Sequence, residues 1–265
     1  MNRIDKKFSE LKKSRKKAFI AFLTAGDFGL SSTENLVKEF DRRGADIIEL
    51  GVPFSDPVAD GPTIQSSSER SLKRGTKLPD IIRMVGRLRK TTQVPIVLMG
   101  YYNPLLKYGL GKFVSDCVKN GVDGAIVPDL PPEEAGELIS AARGKRFATI
   151  FLLSPTSDDG RIRLIAKRSR GFIYYVSLTG ITGARKKLPE EIGSKVRAVK
   201  RYADMPVCVG FGVSTPAQVR AISRYADGVI VGSAIVKEIE KNAGKKDFIK
   251  RVGDYVEKLA ETSHR

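Results

Sequence analysis

The chain has 265 residues, 41% of them hydrophobic, and 47 lysines and arginines against 30 aspartates and glutamates give a net charge of +17. That composition excludes a disordered polycation, and a chain this long buries enough surface to need no disulfide or metal staple. Two cysteines, Cys117 and Cys208, and a single histidine, His264, exclude a disulfide framework, a His-based triad, an HExxH site and a Cys/His zinc cluster.

Residues 1–17 carry eight basic residues and two acids but no apolar stretch, so no signal peptide is expected there. Residues 2–14 are predicted to form a helix across the bottom of the fold. Apolar runs are at most about seven residues, far short of the ~20 that span a bilayer, and a cytoplasmic protein is expected. Eight β-branched, apolar runs then recur, at 18–24, 46–50, 94–99, 124–127, 147–152, 171–176, 206–209 and 228–231. They are near-continuously hydrophobic, as strands covered on both faces of a parallel sheet are. Segments of helical periodicity alternate with them, at 31–43, 78–90, 110–120, 133–143, 161–168, 192–202, 216–225 and 248–261.

Local signals support this division. Ser32 and Thr33 offer hydroxyl caps to the first of these helices. Pro131, Pro132, Glu133 and Glu134 place prolines and acids in a first turn, and Ser214-Thr215-Pro216 repeats the pattern. Three strands follow an Ala-Asp or Val-Asp pair, ending at Asp46, Asp123 and Asp227, and two of these pairs follow a glycine suited to a left-handed helix cap. Eight β/α units without a linker predict an α/β fold, a single (β/α)8 barrel domain over residues 1–265. A doubly wound open sheet is the structural alternative.

In such a barrel the chemistry sits at the C-terminal ends of the strands. The stretch from Glu49 to Pro62 places three carboxylates after the second strand, Glu49 and then Asp56 and Asp60 in a loop stiffened by proline and glycine. Alternation puts Glu49 on the face opposite Ile48 and Leu50, toward the barrel mouth. A carboxyl group there is poorly solvated, which raises its proton affinity and suits a general acid or base. The competing reading is a buried Glu paired with Lys or Arg, but no strand-end lysine stands out, which also argues against Schiff-base chemistry. Asp56 and Asp60 have a plainer alternative role as turn caps. Later, glycine-rich turns at 179–183, 210–214 and 232–234 follow strands six to eight, where barrels bind phosphate on bare amides and a short helix N-terminus, here 233–236. Phe22, Met99, Tyr101, Ile126, Tyr174 and Phe211 supply an apolar lining, suited to core packing or to a flat aromatic ligand.

The segment ELGVPFSDPVADGPTIQ at 49–65 closely resembles the signature of the tryptophan synthase α chain family. Further similarity lies in FLTAGD (22–27), LMGYYNP (98–104), PDLPPEE (128–134), TGITGAR (179–185), GFGVS (210–214) and GSAIV (232–236), over nearly the whole chain. The resemblance implies retro-aldol cleavage of indole-3-glycerol phosphate to indole and glyceraldehyde 3-phosphate. It implies Glu49 as the acid/base and Asp60 as its partner carboxylate. Phosphate binding then falls to Gly183, Gly212, Gly232 and Ser233, and the indole and glyceryl parts to Phe22, Met99, Tyr101, Ile126, Tyr174, Thr182 and Phe211. It also implies no cofactor on this chain, and a β subunit carrying pyridoxal phosphate in an α2β2 complex. Asn103, Asp129, Pro131 and Pro132 are the candidate contacts to that subunit. Another phosphate-binding barrel, such as a sugar-phosphate isomerase, leaves the 49–61 segment unexplained. A basic nucleic-acid-binding barrel and a noncatalytic activator of the β subunit are the remaining alternatives.

Overall fold

The computed structural model describes residues 1–177, 188–210 and 212–264, with side chains for all of these except 188–191. In chain order the elements are α1 (Arg3–Lys13), β1 (Ala18–Thr24), α2 (Leu30–Arg42), β2 (Ile47–Gly51), α3 (Pro62–Lys73), α4 (Leu78–Leu88) and β3 (Ile96–Met99). Next come α5 (Tyr102–Tyr108), α6 (Leu110–Lys119), β4 (Gly124–Ile126), α7 (Gly136–Ala142), β5 (Ala148–Ile150), β6 (Leu152–Leu153), α8 (Asp159–Arg168) and β7 (Ile173–Val176). The chain continues through α9 (Leu188–Lys200), β8 (Val207–Gly210), α10 (Pro216–Ser223), β9 (Gly228–Val231), α11 (Ser233–Asn242) and α12 (Phe248–Ser263).

All pairings are parallel, in the order β5-β4-β3-β2-β1-β9-β8-β7-β6. The two ends of that order, β5 and β6, are halves of the predicted fifth strand, separated only by Phe151. The Tyr174 amide donates to the Phe151 carbonyl at 3.1 Å, so the sheet closes on itself through this strand and forms an eight-stranded barrel.

The apolar residues divide into two layers. Ile20, Ile47, Val97, Ile150, Cys208 and Ile230 fill the barrel interior, and Ile4, Phe8 and Leu11 of α1 cover its lower end. Each such side chain, removed from water, stabilises the fold by roughly 1.5–3 kcal/mol. The outward-facing residues, such as Phe19, Ile48 and Leu50, meet the helices in the second layer.

The Asp residues that open β2, β4 and β9 share one bonding pattern. The Asp46 amide donates to the Phe19 carbonyl at 2.9 Å while its carboxylate accepts the Phe19 amide at 2.9 Å. Asp123 does the same to Ile96, and Asp227 to Val207. Each carboxylate thus satisfies an amide at the start of a neighbouring strand. His264 reaches the same Asp46 carboxylate, with Nε2 at 2.8 Å, and ties the end of α12 to the barrel floor.

Several predicted boundaries shift. Residues 131–135 form a turn, and α7 begins only at Gly136. The α2 helix begins at Leu30, so Thr33 lies inside it, and its hydroxyl accepts the Gly26 amide at 2.9 Å instead of capping the helix. Thr215 does cap α10, in a reciprocal capping box with Gln218. The helix after the last strand runs on from 236 to Asn242, and α3 and α5 are additional to the predicted set.

Close strand spacing at Gly124 generates a test of the barrel geometry. A Cβ there would lie 2.6 Å from the Ala148 carbonyl oxygen, a backbone atom that cannot rotate away. Gly124→Ala is expected to destabilise the fold by about 1–3 kcal/mol, the usual range for overpacking. Thermal denaturation should show Tm lowered by roughly 2–10 °C. An unchanged Tm would show that β4 and β5 can separate freely.

Candidate active site

The site is built on the C-terminal ends of β1, β2 and β3. Glu49 stands in register between Phe22 of β1 and Val97 of β3, on the interior face, and is 1% exposed. Among the described residues no hydrogen-bond partner reaches its Oε2. Burial pushes its pKa up to about 8, and the negative charge of Asp60 adds to the rise. The carboxyl group is therefore mostly protonated near neutral pH. Among the described residues no lysine or arginine holds it as an anion.

Asp60 lies in the loop between β2 and α3. Its backbone is fixed by its own amide donating to the Pro57 carbonyl at 3.0 Å and by Gln65 Nε2 donating to its carbonyl at 2.8 Å. Partial burial raises its pKa, and a hydrogen bond from the Tyr101 hydroxyl acts in the opposite direction. That hydroxyl also accepts the Ala59 amide at 2.9 Å, and the Tyr101 ring packs on Phe54 with centroids 5.3 Å apart. Tyr101, read from sequence as an apolar lining residue, thus anchors the acidic loop as well. Asp56 is exposed and accepts only the neighbouring Ser55 hydroxyl at 2.6 Å, a local turn bond.

The loop is held from above by α3, whose inward face is serine. Ser67 and Thr24 hydroxyls lie 2.6 Å apart, and Ser71 donates to the Ala25 carbonyl at 2.6 Å. Arg70 makes a two-pronged pair with buried Asp27 at 2.6 and 3.0 Å. These bonds lock the start of the Asp60-bearing segment to the end of β1. Sequence reading missed them because the face carries no apolar periodicity.

Phe22, Met99 and Tyr101 meet Asp60 around a cavity of about 10 Å³, closed also by Ile64 and Ser68 of α3. That is room for a single water among the described residues, so a bicyclic ring requires the lining side chains to move. Gly51 makes room for one of them, since a Cβ there would lie 2.7 Å from the Phe22 ring. Ile126 is buried deeper in the barrel interior, beside Val97 and Ile150. Across the barrel, buried Tyr174 keeps its proton, because burial and then the Glu49 charge push its pKa well up. Gly210 leaves space for that hydroxyl: a Cβ there would lie 2.6 Å from the Tyr174 oxygen.

After β9, Gly232 is the residue before α11, and Ser233 is the exposed first residue of that helix. A Cβ on Gly232 would sit 3.5 Å from the Phe22 ring, which places this helix start against the apolar lining. Gly212 has φ +72°, a conformation that favours glycine. Thr182, Gly183 and Phe211 lie outside the described residues. Of the candidate partner contacts, Asn103 in the first turn of α5 and Asp129 are exposed, and Asp129 accepts the Tyr102 amide at 2.9 Å. Pro132 is buried and offers no surface to a partner. Among the described residues no His/Cys/Asp/Glu cluster could hold a metal ion, and no helix is long and apolar enough to cross a membrane.

Comparison with known proteins agrees with this geometry. The family model described as tryptophan synthase alpha chain matches residues 8–264. The chain is 54% identical to the tryptophan synthase alpha chain of Geotalea daltonii over 246 residues, 93% of each chain. It is 55% identical to that of Geobacter sulfurreducens over 241 residues, 91% of each. The crystal structure of tryptophan synthase subunit alpha from Legionella pneumophila superposes with a TM-score of 0.92 at 39% identity, covering 99% of this chain and 98% of that one. The chain belongs to the tryptophan synthase alpha chain family, the carbon–carbon lyases that cleave indole-3-glycerol phosphate to indole and glyceraldehyde 3-phosphate.

Proposed function

We propose that Glu49 and Asp60 divide the cleavage between them, Glu49 as proton donor and acceptor and Asp60 as a fixed negative charge. Breaking the bond between the indole ring and the glyceryl chain requires C3 of the ring to take a proton, so that indole leaves as a neutral molecule. A buried carboxyl with a pKa pushed up to about 8 holds that proton and can release it. Protonation at C3 leaves positive charge at the ring nitrogen, and an ionised Asp60 accepting the ring N–H stabilises it. As the aldehyde forms, the glyceryl hydroxyl loses a proton, and the Glu49 carboxylate left by the first transfer is placed to take it. The burial of Glu49 without a cationic partner among the described residues carries this reading.

The phosphate end of the substrate is assigned to Gly212, Gly232 and Ser233, with Gly183 completing the cradle. The N-terminus of α11 offers backbone amides and the positive end of the helix dipole. Phe22, Met99, Tyr101, Ile126 and Phe211 are the ring contacts, and Tyr174 and Thr182 face the glyceryl part. Indole then passes to a β subunit, which in an α2β2 complex supplies the pyridoxal phosphate chemistry. The exposed residues Val58, Asn103 and Asp129 belong to the surface that faces it.

Indole release by Glu49→Gln should fall at least ~100-fold, within the range that general acid–base groups contribute. Near-normal turnover would remove Glu49 from the mechanism. The same substitution reports on burial independently of activity. The folded-state pKa of Glu49 lies above its unfolded value of 4.5, so its stabilising contribution is full below 4.5 and is lost as pH rises through about 8. Thermal melts across this window should show Glu49→Gln gaining stability relative to the parent chain from pH 5 to pH 8. A constant difference would mean that Glu49 finds a partner in solution. For Asp60, Tyr101→Phe removes a hydrogen bond to the carboxylate, worth about 1.5–3 kcal/mol. The acidic limb of the kcat/KM profile should move to higher pH, by about 1–2 pH units if the whole of that energy acts on the carboxylate. An unmoved limb would show that Tyr101 serves only to pack.

A further inference from the structure

A groove of about 1130 Å³ lies on the face opposite the active site, at the N-terminal ends of β3, β4 and β5. It is bounded by the start of α1 and by the turns that follow α4, α6 and α7. Eight arginine and lysine side chains line it, with one acid, Asp123, and no aromatic residue.

Four of these cations are already engaged. Arg3 and Arg89 both pair with Asp123, at 3.1 and 2.9 Å, while Arg83 pairs with Asp80 and Arg87 with Glu34. Asp123 is buried and also accepts the Ile96 amide, so it offers nothing more to the groove. The other four, Lys90, Lys119, Lys145 and Arg146, are exposed and form no close ion pair among the described residues, although Asp116 on the same helix as Lys119 feels the Lys119 charge. Lys119 lies in the last turn of α6, where it complements the helix dipole. Lys90, Lys145 and Arg146 lie beyond the last turns of α4 and α7, so dipole compensation does not account for them.

A concave surface of one sign focuses its potential and concentrates counter-ions. We propose that this groove is a binding site for a linear polyanion of repeated phosphoryl groups, inorganic polyphosphate, held by charge alone. The groove is wider than a single phosphate needs and resembles an extended-ligand site in volume. It lacks the stacking platform that single-stranded nucleic acid uses. Its concavity admits a narrow flexible chain, whereas a nucleic-acid duplex presents a convex rod. The active site makes no use of these cations, since they stand at the other end of the barrel from Glu49 and Asp60.

The test is binding of short-chain inorganic polyphosphate to the intact chain by calorimetry, at low and at physiological salt. One variant replaces Lys90, Lys119, Lys145 and Arg146 with alanine; a charge-matched control replaces Lys73, Lys237, Lys246 and Lys258. The groove variant should lose at least ~10-fold in affinity and show a shallower salt dependence, and the control should change less than about twofold. Polyphosphate should raise the Tm of the parent and the control but not of the groove variant. Indole release without polyphosphate should be equal in all three. Absence of binding to the parent chain, equal losses in the two variants, or tighter binding of a duplex or single-stranded oligonucleotide at matched phosphate would each overturn the proposal. If the groove variant fails to fold, the absence of a Tm rise in the parent chain overturns it equally.

Discussion

Closure of the parallel sheet is the constraint on which the other features depend. An open parallel sheet leaves a row of unpaired amides and carbonyls at each edge, whereas a closed one pairs them throughout. Here closure falls to the fifth strand, whose halves β5 and β6 bond to opposite neighbours on either side of Phe151. Closure creates an interior that solvent does not enter, stopped at the bottom by α1 and narrowed at the top by the loop after β2. Only within such an interior does a carboxyl group without a partner keep a proton near neutral pH.

The two mouths of the barrel handle charge by opposite means. At the top, burial keeps Glu49 neutral and also raises the proton affinity of Asp60, a rise that one phenolic hydrogen bond partly offsets. The two carboxyl groups differ in environment more than in chemistry, and that difference separates a proton carrier from a fixed charge. At the bottom, positive groups outnumber acids and meet solvent. The cations of the groove there, eight of the 47 basic residues, take no part in the proposed lyase chemistry.

Strand positions were legible because burial on both faces leaves an unbroken apolar run, and all eight predicted runs contain observed strands. The interior placement of Glu49 followed from alternation along Ile47–Gly51. The α3 helix was not legible from periodicity: its buried residues are Ser67, Ser68 and Ser71, which dock by hydrogen bonds and close approach. The break at Phe151 has no signature either, because a strand that changes neighbours keeps the same hydrophobic pattern. Tyr101 was found for its ring, but its bond to Asp60 depends on loop backbone that no spacing reveals. Nothing in the sequence around His264 points to its partner, Asp46, 218 residues earlier in the chain.

The aspartates that open β2, β4 and β9 also bear on chain entropy. Their side-chain bonds span only 27, 27 and 20 residues, each within one β/α unit and its neighbouring strand. The bonds that bring the end of α12 to the start of β1, from Ser263 to the carbonyls of Lys17 and Ala18, span 246 and 245 residues. Loop-closure entropy grows with the logarithm of the span, so the carboxylate bonds constrain the least chain and the seam where α12 meets β1 the most. The barrel thus consists of locally stapled strand pairs joined by one long-range seam, and the conformational cost of making a ring is concentrated at that seam.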